Sequence, residues 1–280
     1  MPIPQTHFFK HDGHRLAYCE HGSGERVVVL LHGLLLSKAM HRGLAEQFAQ
    51  RGYRVLSLDL LGHGESDKPL DMSEHSMQLY ATQARALLDH LGIDQAVFLG
   101  TSLGANTALE LAVIAPERVR GMVIEMPVLD NAILGAGVAF LPPMLAMRLA
   151  APLMQATSGL ARHLPTFGIG LLETVSDWTR AEPGPSLAVL QGLFFGRIAP
   201  PRSLRKTLTP PALVIGHPGD PIHPFSDAGE LAQELLNARL LEATSIFELR
   251  VKPARLTAEI ADFIGECWSR PRSAGRRRAA

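Results

Sequence analysis

Disulfides, an excess of charge of one sign, a long uninterrupted apolar run and a phosphate-binding glycine loop are all missing from this chain. Its 280 residues hold two cysteines, Cys19 and Cys267, at opposite ends. That separation excludes a metal knuckle or a paired redox motif and points to reduced thiols in a cytoplasmic protein. Lysine plus arginine number 27 and aspartate plus glutamate 27, so no cationic excess argues for a nucleic-acid partner. The apolar stretch between Ala132 and Ala161 is interrupted by Pro142, Pro143, Arg148 and Pro152, and no stable membrane insertion is expected. Met1-Pro2-Ile3-Pro4-Gln5 lacks a charged region followed by an apolar one, so no signal peptide is expected. Gly22-Ser23-Gly24 falls in a hairpin connection rather than between a strand and a helix, which leaves no reason to expect a cofactor. His7, His11 and His14 flank a turn at Asp12-Gly13 without forming a set of three inward-facing ligands, and no metal is expected.

What is present is concentrated at Leu99-Gly100-Thr101-Ser102-Leu103-Gly104-Ala105-Asn106. An apolar strand, Ala96 to Leu99, runs into Gly-x-Ser-x-Gly and then into an Ala/Leu-rich helix starting at Leu103. A serine on a sharp strand-to-helix turn is lifted clear of the sheet, and such a turn needs glycines where side chains would strike neighbouring backbone. The backbone N–H of Leu103 then faces a developing oxyanion.

Around this turn the pattern alternates. Phe8–Tyr18 reads as a hairpin about Asp12-Gly13, and Val27–Leu31 as a strand buried on both faces. Further strands are expected at Arg54–Asp59, Val119–Glu125, Ala212–Gly216 and Arg239–Glu242. Helices are expected at Arg42–Arg51, from a Ser73 cap to Gly92, from Leu103 to Pro116, near Ser226–Leu236 and from Pro253 to Trp268. No internal repeat is found. The fold class expected is α/β, a mostly parallel twisted sheet with helices on both faces. Residues 1–130 and 202–269 would form the core and 131–201 an inserted helical cap. Residues 270–280, with five arginines, would form a disordered basic tail. The insertion would lie over the C-terminal ends of the strands, where open α/β sheets hold ligands. Phe140, Met144, Met147, Met154, Phe194 and Phe195 either pack it onto the core or line an apolar substrate pocket.

Four motifs make the chain resemble the α/β-hydrolase superfamily, in its capped, serine-nucleophile branch. They are Leu31-His32-Gly33-Leu34, Asp59-Leu60-Leu61-Gly62-His63-Gly64-Glu65-Ser66, the turn at Gly100–Gly104, and Gly216-His217-Pro218-Gly219-Asp220. The resemblance spans Phe8 to Trp268. It implies Ser102 as nucleophile, Leu34 and Leu103 as backbone oxyanion donors, His32 and Gly33 beside the substrate, and Asp220 as the acid that orients a base. Glu125 and Asp130, after the preceding strand, are the other acids such a site can use. Relatives of this fold that open epoxides carry aspartate at the nucleophile position, whereas serine supports acyl transfer.

One expected residue is missing. The resemblance places a catalytic histidine after the last strand, at a slot that falls on Ile246, and no histidine follows His223. His223, three residues past Asp220, is the provisional base, with His163 and Glu248 as alternatives; His32, His63 and His217 read as loop-forming. The expected function is therefore hydrolysis of a carboxylic ester or thioester with an apolar moiety, in which Met144, Met147 and Phe194 contact substrate. The alternative is a non-catalytic binding or regulatory protein that has lost its base. A lyase or perhydrolase reaction needs the same base and gains nothing from these residues. Oligomeric state is not legible.

Overall fold

The computed structural model describes residues 4–162 and 176–271. Eight strands form one sheet: β1 Thr6–His11, β2 His14–His21, β3 Val27–Leu31, β4 Arg54–Leu58, β5 Ala96–Thr101, β6 Val119–Glu125, β7 Ala212–Gly216 and β8 Ala238–Glu242. Their spatial order is β1-β2-β4-β3-β5-β6-β7-β8. The β1–β2 and β2–β4 pairs are antiparallel and every other pair is parallel. Asp12 and Gly13, both at positive φ, make the hairpin turn, as the Asp-Gly pair predicts.

The sheet is covered on both sides, which is why Val27–Leu31 is aliphatic throughout. Val28 and Leu30 face a core shared with α1 (Arg42–Gln50) and the closing helix α10 (Ala254–Ser269). Val27, Val29 and Leu31 face the other core, shared with α2 (Met77–His90), α3 (Leu103–Ile114) and α8 (Phe225–Glu234). Fully burying each such side chain contributes roughly 1.5–3 kcal/mol of transfer free energy. The helix expected from a Ser73 cap instead begins at Met77. Asp71 caps a short 3-10 turn, and the Ser76 hydroxyl accepts from Leu79 N–H to start α2. Gly92, at positive φ, follows the helix end as expected.

Between β6 and β7 the described residues include the helices α4 Ile133–Leu149, α5 Ala151–Arg162, α6 Pro183–Phe194 and the short α7 Arg202–Arg205. Its ends are tied to the core by buried polar groups. The Asp227 carboxylate of α8 accepts from the N–H groups of Leu129, Asn131 and Ala132. The Asn106 amide of α3 donates to the carbonyls of Val128 and Ile198, and Glu110, also on α3, pairs with Arg197 at 2.7 Å. No single helix among the described residues is long and apolar enough to cross a membrane. The expected basic tail lies almost wholly outside the described residues. Cys19 and Cys267 are both free and buried, and burial raises each thiol to about 11.

Candidate active site

Strand β5 ends and α3 begins with Ser102 between them at φ 52°, ψ −107°, a conformation L-residues adopt only under strain of about 1–3 kcal/mol. Two glycines permit it. A Cβ on Gly100 would stand 2.1 Å from the Gly104 carbonyl oxygen, and a Cβ on Gly104 would stand 2.1 Å from the Leu31 carbonyl oxygen. Helix and strands approach too closely at this turn for any other residue. The Ser102 N–H donates to the Glu125 carbonyl at 2.9 Å, fixing the turn against β6. Leu103 opens α3, so the helical ladder leaves its N–H without an acceptor.

Facing Ser102 is the loop after β7. The Ser102 hydroxyl stands 2.9 Å from His223 Nε2, and His223 Nδ1 stands 2.9 Å from Asp220 Oδ2. With a carboxylate on one side, the ring carries its proton on Nδ1 and offers Nε2 as acceptor to the serine hydroxyl. The other carboxylate oxygen of Asp220 accepts from the N–H groups of Ile222 and His223, so one side chain both shapes the loop and holds the ring. Burial pushes the Asp220 carboxyl up. Its bonds to the His223 ring and to the two backbone donors more than offset this, and its pKa is lowered. Such an arrangement can deprotonate the serine as it attacks an electrophilic carbon and keep the resulting imidazolium paired with a carboxylate.

The loop holding Leu34 is set by His32. Its ring is fully buried, Nδ1 donating to the Gly33 carbonyl and Nε2 accepting from Leu60 N–H. Burial pushes this imidazole down to about 4, so it stays neutral and clamps two loops together. The Asp59–Ser66 loop closes on its own aspartate, which accepts from Lys38 Nζ at 2.7 Å and from Glu65 N–H at 2.9 Å.

A profile for the alpha/beta hydrolase fold matches residues 26–151. The chain is 38% identical over 110 residues to the bifunctional epoxide hydrolase 2 of Mus musculus, covering 39% of this chain and 20% of that one. Across the curated relatives it matches in this way, the chain spans between 20% and 41% of their length. Among solved structures, an enol-lactonase from Burkholderia xenovorans superposes with a TM-score of 0.75 at 20% identity, over 92% of this chain and 99% of the lactonase. An esterase from Exiguobacterium antarcticum superposes with a TM-score of 0.74 at 16% identity, over 94% of this chain and all of the esterase. The chain has the alpha/beta hydrolase fold.

The ring of His32, expected beside substrate, is fully buried and bonds the loop backbone at Gly33 and Leu60. Glu248, an alternative base, is held by Arg255 at 2.8 Å and by the N–H and hydroxyl of Thr244. The Arg255 hydrogen bond leads in bringing this carboxyl down to about 2, which unfits it as a base. Glu125, an alternative acid, is fully buried against Arg250 at 2.8 Å and Thr101 at 2.5 Å; Asp130 is exposed. His163 lies outside the described residues. The histidines near the first hairpin serve other contacts, His14 with Glu74 and His11 with Thr82 at 3.1 Å.

Met144 and Phe194 are partly exposed on α4 and α6, while Met147 is buried. A cavity of about 330 Å³ opens beside the loop that follows Leu34, and its lining is mixed rather than apolar: Leu35, Leu36, Lys38, Asp59, Glu65 and Asp177 contribute to it. Neither Ser102 nor the expected apolar contacts line it.

The sequence reading missed the group that fills the region of the absent histidine. Arg250, on the short helix α9 (Glu248–Val251) after β8, reaches Glu125 and Thr101. His217, after β7, donates from Nδ1 to the Ser245 carbonyl and approaches Glu125 at 3.3 Å. The loop that includes Ile246 is thus pinned by a buried charge cluster directly behind the serine turn. An arginine on so short a helix carries no local signal of such a partner 125 residues away.

Proposed function

We propose that the protein is a serine hydrolase acting on a carboxylic ester or thioester with an apolar moiety. The observation that carries this reading is the continuous chain Ser102 Oγ–His223 Nε2 and His223 Nδ1–Asp220 Oδ2, each link 2.9 Å. Ser102 attacks the acyl carbon while His223 takes its proton, and the leaving alcohol or thiol receives that proton as the acyl-enzyme forms. Water, deprotonated by the same imidazole, then releases the acid. The backbone N–H groups of Leu34 and Leu103 hold the oxyanion, each such donor contributing about 10²–10³ in rate. The helical segment 131–201 acts as a cap, and Gly33, Met144, Met147 and Phe194 lie on the substrate's side of the site. No cofactor enters this scheme.

The neighbouring lactonase and esterase folds support ester chemistry in general and leave the acyl group open. Hydrolysis of p-nitrophenyl esters and acyl thioesters of increasing chain length tests the reading. Wild type is expected to turn over at least one medium-chain member. Ser102→Ala is expected to lose about 10⁴–10⁶ of that rate. Equal rates for the two proteins would remove it.

A further inference from the structure

The helical segment between β6 and β7 leaves a row of large aliphatic side chains in solvent. On α4, Val138, Leu141, Leu145 and Leu149 are each between 51% and 74% exposed, and their spacing of three, four and four places them on one stripe. On α5, Leu153 and Leu160, seven residues apart, are 67% and 70% exposed. Packing is handled by the opposite sides of the same helices, where Met147 and Ser158 are buried. A helix whose outer face meets only water carries charge there. These two carry leucine.

Charge is distributed to match. The chain has 27 acidic residues in 280, yet none from position 131 to 172. Arg148 stands exposed beside Leu149. The two helices approach the apolarity of a membrane span only as a pair, and that pair is bent by 99° where α4 gives way to α5. Such a bent pair suits lying on a bilayer better than crossing it, because an interfacial helix needs one apolar face and cations, not a straight apolar length.

We propose that the exposed face of α4 and α5 docks on the surface of a phospholipid bilayer. Leucine side chains enter the boundary between headgroups and acyl chains, Arg148 meets phosphate, and the missing carboxylates remove repulsion from anionic lipid. A second copy of this chain would also cover the leucines, but it would not call for the exclusion of negative charge across the segment. The Asp227 and Asn106 ties fix the ends of this segment to α8 and α3, so docking would hold the serine turn in a set relation to the bilayer. Only the corollary that an ester substrate arrives from the lipid phase rests on the serine-hydrolase reading; the docking itself does not.

Co-sedimentation of the full chain with phosphatidylcholine vesicles, with and without phosphatidylglycerol, tests this. Wild type is expected to partition onto the vesicles, more strongly with the anionic lipid. Leu145→Gln, Leu149→Gln and Leu153→Gln together should lower the partition coefficient by more than about tenfold, with the unfolding temperature and turnover of a short soluble ester unchanged. Ser102→Ala should sediment like wild type, which separates failure of docking from failure of the hydrolase reading. Should the triple variant unfold early, Leu149→Gln and Arg148→Glu as single variants carry the same expectation. Absence of wild-type partitioning, binding indifferent to these substitutions, or a wild-type dimer that the substitutions render monomeric would overturn the proposal.

Discussion

Asp220 and His223 stand three residues apart on one loop and still meet Nδ1 to Oδ2 at 2.9 Å, while His223 Nε2 reaches Ser102 across the site. The proposed acid and base therefore share a single turn, shaped by the N–H groups that Asp220 collects from Ile222 and His223. Asp220→Asn keeps an oxygen for those backbone donors but loses the charge and the tautomer preference. Turnover is expected to fall by about 10⁴ with little change in KM, measured on a soluble ester.

The same carboxylate shapes the acid limb of stability. Its pKa is lowered in the folded state, so its contribution is complete above the ordinary aspartate value and is lost as pH falls through the lower folded one. The stability gap between wild type and Asp220→Asn should be constant between about pH 7 and 5 and should close below about pH 4. Urea unfolding across that range reads it directly.

Glu125 predicts a second pH dependence. It is fully buried, and burial alone would raise its pKa; Arg250 and His217 instead hold it well below the ordinary carboxylate range. Arg250→Met would leave a buried charge with one weaker partner and should cost about 3–5 kcal/mol of stability, part of which Glu125→Gln recovers in the double variant. Burial pushes His217 down, but Glu125 more than offsets this and its pKa is raised. Its contribution is full below the unfolded histidine value and is lost as pH rises through the raised one. Wild type should therefore lose stability on the alkaline side of about pH 6.5, and Glu125→Gln should flatten that loss.

Gly104→Ala is expected to be far more damaging than an ordinary helix substitution, although alanine is the better helix former. The added methyl would stand 2.1 Å from the Leu31 carbonyl oxygen, forcing α3 off β3. Overpacking of this kind costs about 1–3 kcal/mol or more. Both the thermal midpoint and turnover should fall, since the helix that moves is the one that carries Ser102.

Much of this architecture is legible in the residues. The all-aliphatic Val27–Leu31 announces a strand covered on both faces, and Gly100-Thr101-Ser102-Leu103-Gly104 announces a turn that only glycine tolerates. Local chemistry fixes both. The start of α2 was misplaced by one cap: Ser73 and Ser76 offer equivalent hydroxyls, and it is Ser76 that accepts from Leu79 N–H. His223 was legible as the provisional base through its spacing from Asp220, and the alternative Glu248 is engaged by Arg255. The Arg250–Glu125 pair was beyond reach, because its partners come from separate strands and loops that only the assembled sheet brings together.

The central claim is that Ser102 is activated by a histidine from the β7 loop in a chain with Ile246 where the superfamily resemblance places one. Intact mass after exposure to a small fluorophosphonate tests it most directly, with wild type, Ser102→Ala and His223→Ala treated side by side. The account predicts one adduct on wild type, none on Ser102→Ala, and labelling of His223→Ala slowed by several orders of magnitude. Wild type without an adduct, or His223→Ala labelling as fast as wild type, would contradict it.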